Sequence, residues 1–261
     1  MYLLRPAGIR QDQRGQTVSK LLVLDIETRP AKVYTFQLLN TNIGIEQVLE
    51  PGAIIAVGAR WLDGTKEYYA AVDYKDGVEV NPKQRRKMLE MAHSLLSESD
   101  AVITFNGDRF DLQKLRGEFA VHGLPPLCPT TSIDVRRTTS AMGFTSGKLA
   151  HVGPLLGCGR KRKHDGFTLW SDYLLGTAAA RKEMKLYNLQ DVHVLADVYK
   201  KVRPYIKNHP NLGYHSDSCP VCGSLKEQRK GKPRFTPYFK VEQMQCRECQ
   251  SWFDGKRTKI R

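Results

Sequence analysis

The polarity of the chain changes period several times, and those changes mark out its elements. Residues 21–27 read LLVLDIE, a short continuous apolar run ending in two acids, which predicts a central strand covered on both faces. Residues 53–62 and 66–72 are rich in β-formers and flank Asp63-Gly64, a hairpin signal. Over 82–98 the apolar positions Met88, Met91, Ala92, Leu95 and Leu96 fall at helical spacing. Residues 101–105 predict another short strand, and 111–122 a helix closed by Gly123 and two prolines.

Further along, 132–135 reads as a short strand, and 148–156 and 169–175 as short helices. A long helix over about 178–205 stops near Pro204 and Pro210. Strands first, then alternating helix and strand, then helices: such an order predicts an α/β sheet with helices packed on its faces. A polar stretch containing Pro210 and Gly213 follows, and 233–245 is β-prone again. The chain has no internal repeat and no low-complexity tract.

Composition narrows the class. With 261 residues, 41% apolar and 26% charged, the chain has room for one ordinary globular domain and a small accessory one. We read 1–19 as a basic N-terminal arm, 20–206 as the main domain, 207–217 as a linker and 218–261 as the accessory module. No apolar run approaches the roughly 20 residues that cross a bilayer. Arg5, Arg10, Arg14 and Lys20 interrupt the first twenty residues, which lack the apolar core of a secretory signal. A cytoplasmic protein is expected, and a phage-encoded one acting in its host's cytoplasm fits as well.

The formal charge of +14 speaks to partners. A surface this basic gathers a polyanion by releasing its counterions, and nucleic acid is the expected one. No basic amphipathic helix ends in an apolar anchor, so a membrane is not expected.

Six cysteines are present. Four of them form two C-x-x-C pairs, Cys219/Cys222 and Cys246/Cys249, with 23 residues between the pairs. This spacing predicts one tetrahedral structural Zn²⁺, and with the β-prone insert it resembles a zinc ribbon. A module of 44 residues buries too little core to fold without metal. Its redox reading is poor, because two pairs compete and no thioredoxin-like pattern surrounds them. Cys128 and Cys158 stand alone and read as apolar fillers. Residues 218–261 hold eleven Lys/Arg against four Asp/Glu, a formal +7. These interleave with Phe235, Tyr238, Phe239 and Trp252, a mixture suited to single-stranded or frayed nucleic acid, with a protein-binding adaptor as the alternative.

Three acidic elements carry candidate chemistry. Asp25 and Glu27 lie two apart on the first strand and so share a face. Buried together they repel, which an oxygen-seeking Mg²⁺ or Mn²⁺ would relieve. Asn106-Gly107-Asp108-Arg109-Phe110-Asp111 joins a strand to a helix; one of its aspartates could simply cap that helix. Tyr187 and Asp191, four apart on the long helix, stand about one turn from each other.

Together, in order, these elements resemble the three motifs of the DEDD exonucleases. The resemblance is to the tyrosine-bearing, DnaQ-like branch of the ribonuclease-H-like superfamily, over about residues 20–206. Leu186 stands where the histidine branch would need His. The resemblance implies a ribonuclease-H-like mixed sheet flanked by helices, a 3′→5′ exonuclease and nucleoside 5′-monophosphate products. It further implies two Mg²⁺ or Mn²⁺ ions about 3.5–4 Å apart, bridged by Asp25. Glu27 and Asp191 would complete one ion's site, Asp111 would hold the other, and Tyr187 would orient the attacking water. Thr28, Asn106, Phe110 and the basic run Arg160, Lys161, Arg162, Lys163 would contact substrate. Phe167 and Trp170 could stack a base, although residues at that spacing are more often core.

DNA is favoured over RNA, as single-stranded or frayed 3′ ends. A polymerase or another replication or repair protein is a possible partner. Two competing classes remain open: an endonuclease on the same fold, and a non-catalytic nucleic-acid-binding adaptor.

Overall fold

The computed structural model describes residues 19–39, 41–162, 166–213, 218–226 and 228–260. Most of the expected N-terminal arm (1–18), Lys163 of the basic run, residues 214–217 of the expected linker and Arg261 lie outside the described residues.

The chain begins with β1 (Leu21–Arg29), a small hairpin of β2 (Lys32–Val33) and β3 (Val48–Glu50), and then β4 (Ala53–Trp61) and β5 (Glu67–Ala71). A second small hairpin, β6 (Tyr74–Lys75) and β7 (Val78–Glu79), leads to α1 (Pro82–Glu98), β8 (Ala101–Thr104), α2 (Asp111–Val121) and β9 (Thr131–Asp134). Four helices follow: α3 (Val135–Ala141), α4 (Leu149–Leu155), α5 (Thr168–Leu175) and α6 (Ala178–Val202). A five-stranded mixed sheet runs β5-β4-β1-β8-β9. Pairing is antiparallel from β5 to β1 and parallel from β1 to β9. This is the ribonuclease-H-like α/β architecture expected.

Alternation along β1 divides the core between the two faces. Leu22, Leu24 and Ile26 pack with Met88, Leu89, Leu95 and Leu96 of α1 and Leu112, Leu115 and Phe119 of α2. Leu21 and Val23 pack on the other face with Val192, Leu195, Val198, Tyr199 and Val202 of α6. On that second face the next two positions are Asp25 and Glu27, so the apolar row turns acidic under the same helix.

Local signals set the helix ends. Asn81 caps α1 by accepting from Lys83 N–H at 3.0 Å, with Pro82 in the first turn. Thr177 caps α6 through Ala180 N–H at 3.2 Å. The long helix stops at Val202, short of the expected 205, because Pro204 tightens the chain into a 3₁₀ turn over Arg203–Tyr205. The small hairpins are too short to establish a period, and α3 (VRRTTSA) carries no apolar spacing that would mark it. No described helix is long and apolar enough to cross a membrane.

The C-terminal module is a ribbon of β10 (Gln228–Lys230), β11 (Arg234–Phe235), β12 (Phe239–Cys246) and β13 (Trp252–Lys259). β12 is central and pairs with the other three. The chain leading into the module is docked to the main domain. Leu212 packs in the α6-face core, its carbonyl accepts from Ser19 Oγ at 2.9 Å, and its N–H donates to the Pro220 carbonyl at 2.6 Å.

Candidate active site

The site forms where β1 passes beneath α6. Small residues make the approach possible: Asp25 pairs across to Gly58 and Glu27 to Ala56 on β4. A β-bulge directly after Glu27 shifts the register, so Thr28 pairs with Ile54. Asp191 descends from α6, and carboxylate oxygens of Asp25, Glu27 and Asp191 lie within 4.8 Å of one another.

Asp111, the first residue of α2, is buried at the opposite edge of β1. The β1–β8 pairing ends at Val23, and Asp111 Oδ1 accepts the Ile26 N–H beyond it at 3.2 Å. It stands beside the three-carboxylate group rather than within it, yet close enough to act electrostatically on Asp25 and Glu27. Within the second motif, Asp108 instead pairs with Arg137 at 2.7 Å.

The electrostatics of the cluster are adverse without a cation. Burial, then Glu27, Asp111 and Asp191, hold the Asp25 carboxyl well above its ordinary range. Burial and Asp191 push Glu27 up to about 8. Burial pushes Asp111 up to about 7, against backbone hydrogen bonds that favour its charged form. Three crowded, desolvated carboxylates make an all-oxygen donor set, which suits a hard divalent cation.

Lys161 supplies the local positive charge. Its Nζ is ion-paired with Asp191 Oδ2 and lies 5.5 Å from the centre of the Tyr187 ring. Burial opposes its charge, but the Asp191 carboxylate holds the ammonium above the usual lysine range. The rest of the basic run diverges. Arg162 pairs with Glu183 (Nη2 to Oε2, 2.9 Å), and the Arg160 carbonyl accepts from Gln190 at 3.3 Å. Lys161 is thus the one described member of the run that meets the carboxylates.

Tyr187 is mostly buried, edge-on to Trp170 at 6.1 Å between centroids. Burial first, then the charge of Asp191, push its phenol upward, so it is a neutral hydrogen-bond donor. Trp170 Nε1 donates to the Thr28 carbonyl at 3.1 Å. Glu27, Thr28, Pro30, Phe110, Phe167 and Trp170 line an open cleft of about 430 Å³ beside the acids. Four of the residues read as substrate contacts or stacking candidates therefore share one cleft. Asn106 is explained by its backbone: it adopts a left-handed φ of 71°, which asparagine tolerates, and its N–H is held by Asp134 at 2.8 Å. One residue at the site went unread: Asn188, buried between Asp25 and β4. A polar residue inside the Tyr187–Asp191 turn was the available signal.

The four cysteines of the ribbon also converge, with all Sγ atoms within 4.8 Å of one another. Cys219–Cys249 and Cys222–Cys246 are each 3.7 Å apart. A tetrahedron with Zn–S bonds of about 2.3 Å has edges of about 3.8 Å, so the spacing fits zinc. The two knuckles match. Val221 and Glu248 N–H groups point to Cys219 and Cys246 Sγ, both at 3.4 Å, and Gly223 and Gln250 follow with φ of 72° and 64°.

The family model described as RNase_H superfamily matches residues 43–203. The chain belongs to the ribonuclease H superfamily, and that membership supports a nuclease-type phosphodiester hydrolase acting on nucleic acid. The matched span starts beyond β1, so the place of Asp25 and Glu27 in the site rests on geometry. No curated protein matches the chain.

Proposed function

We propose that this chain is a 3′→5′ exonuclease of the tyrosine-bearing DnaQ-like kind, removing nucleoside 5′-monophosphates from nucleic acid, with DNA favoured. One observation carries the reading: Tyr187 stands one helical turn before Asp191, which meets Asp25 and Glu27, and lies within electrostatic reach of all three carboxylates.

In this reading Asp25, Glu27, Asp191 and Asp111 would hold two Mg²⁺ or Mn²⁺ ions. When bound, such ions would supply Lewis-acid chemistry, lowering the pKa of a water and offsetting phosphate charge. Tyr187, a neutral phenol, orients the nucleophilic water by hydrogen bonding; with its pKa raised it does not serve as a base. Lys161 carries a positive charge beside Asp191, where it can meet a non-bridging phosphate oxygen. The cleft bearing Phe110, Phe167 and Trp170 takes the terminal base against aromatic faces, and Thr28 also lines it.

The ribbon, held by one structural Zn²⁺, aids substrate binding. Phe235, Tyr238 and Trp252 are exposed among Arg234, Lys240, Lys256 and Lys259. Such a surface grips single strands through stacking and phosphate contacts.

The test uses 3′- and 5′-labelled single- and double-stranded DNA and RNA with Mg²⁺, Mn²⁺ or chelator. Stepwise shortening of 5′-labelled strands, blocked by chelator, is expected. Cleavage of a closed circular single strand would replace the proposal with an endonuclease. Asp25→Ala and Asp191→Ala are expected to abolish hydrolysis.

A further inference from the structure

Asn188 is fully buried on α6, one residue after Tyr187 and three before Asp191. Its Nδ2 donates to Asp25 Oδ2 at 2.7 Å and reaches the Asp25 carbonyl at 3.3 Å. The other end of the amide faces β4. A Cβ built on Gly58 would collide with Asn188 Oδ1, so the backbone closes directly over that oxygen. Among the described residues Oδ1 has no hydrogen-bond partner.

A buried carbonyl oxygen without a partner costs stability, and an apolar side chain of the same shape would avoid that cost. Packing therefore does not account for an amide here. The half of the amide that is satisfied grips one carboxylate, and that carboxylate is the one flanked by Glu27, Asp111 and Asp191. Asn188 is neutral and too deep to meet substrate. Its N–H fixes the orientation of Asp25, while Gly58 fixes the amide from behind.

We infer that Asn188 is a positioning residue for Asp25, locking its carboxylate in the orientation from which a divalent cation is held together with Glu27 and Asp191. The inference rests on the metal-site reading above. Partners of this kind orient ligands before the ion arrives, and losing one typically lowers metal affinity by about 10- to 100-fold.

The test is a Mn²⁺ titration of the full chain, following the EPR signal of the free ion well below the lowest Tm of any variant. Thermal unfolding in chelator is measured alongside. Asn188→Leu removes the unpartnered Oδ1 but also takes the donor from Asp25 Oδ2, so its metal-free Tm is expected to stay close to the parent's while Mn²⁺ affinity falls about 10- to 100-fold. Gly58→Ala, which displaces the amide without deleting it, should weaken Mn²⁺ binding in the same direction, and it serves alone if Asn188→Leu does not fold. Parental Mn²⁺ affinity in a folded Asn188→Leu or Gly58→Ala protein overturns the inference. Asp25→Ala separates the two levels. If it binds Mn²⁺ as the parent does, the metal-site reading itself fails; if it binds weakly while the Asn188 and Gly58 variants bind normally, only the positioning role fails.

Discussion

The Lys161 ammonium is ion-paired to Asp191, a carboxylate only 3% exposed, and faces the Tyr187 ring across the same space. One cation thus serves the helix that bears two of the motif residues. Lys161→Ala removes it and leaves Asp191 buried among like charges. Breaking a fully buried pair costs about 3–5 kcal/mol. The Lys161 side chain is 28% exposed, so solvent screening reduces the expected loss to about 1–3 kcal/mol. Chemical denaturation in chelator checks this, and added Mg²⁺ should recover most of the loss.

Tyr187→Phe keeps the ring against Trp170 and deletes only the hydroxyl. Hydrolysis should fall on the order of 100-fold, the cost of removing one positioned donor. Mn²⁺ affinity, measured by titration, should match the parent's. A variant that loses both would assign the hydroxyl to the metal site instead.

The raised carboxylates fix a sign for pH. Glu27 at about 8 and Asp111 at about 7 stand above their ordinary 4.5 and 3.8, so the folded state holds these protons more tightly than the unfolded state. Their contribution to stability is complete below the ordinary values and is lost as pH rises through the folded ones. In chelator, Tm should fall between about pH 5 and pH 8. Divalent cations should restore it, with a gain that grows across the same interval.

Zinc removal should unfold the ribbon and leave the main sheet standing, because the cysteines pack with little besides Val221 and Phe253. Near-UV circular dichroism during a chelator titration would show loss of the Trp252 environment before the main transition. Deleting 218–261 should weaken nucleic-acid binding and flatten its dependence on salt, since fewer phosphate contacts release fewer counterions. An unchanged salt slope would reassign the basic face to a protein partner.

Much of the site could be read from the chain because its carboxylates sit on elements with strong local signatures. Asp25 and Glu27 end an apolar run that only a central strand accommodates, and Asp191 lies on the longest helix. The choice of Asp111 over Asp108 comes from the resemblance, since by position alone either could serve the start of the helix. In the structure β8 ends its pairing at Val23, which leaves the Ile26 N–H to Asp111. The basic run read as one patch, yet its side chains part company, because Glu183 on α6 draws Arg162 away from Lys161. α3 shows no apolar repeat because VRRTTSA has Val135 as its one large apolar residue; its start depends on Asp134 capping Arg136 N–H at 3.1 Å. β13 escaped notice for another reason. Its outward charges mask the alternation by which a strand is recognised.

The continuity of α6 has a mechanical consequence. Tyr187 and Asp191 lie in its middle, and near its end Tyr199 stacks on His209 and bonds its Nε2 at 2.8 Å, within electrostatic reach of Cys249. From Asp191 to Tyr199 the rise is about 12 Å, with no proline or glycine to bend it. The helix is a rigid strut between the carboxylate cluster and the root of the ribbon, so the spacing of the two is set by the backbone itself.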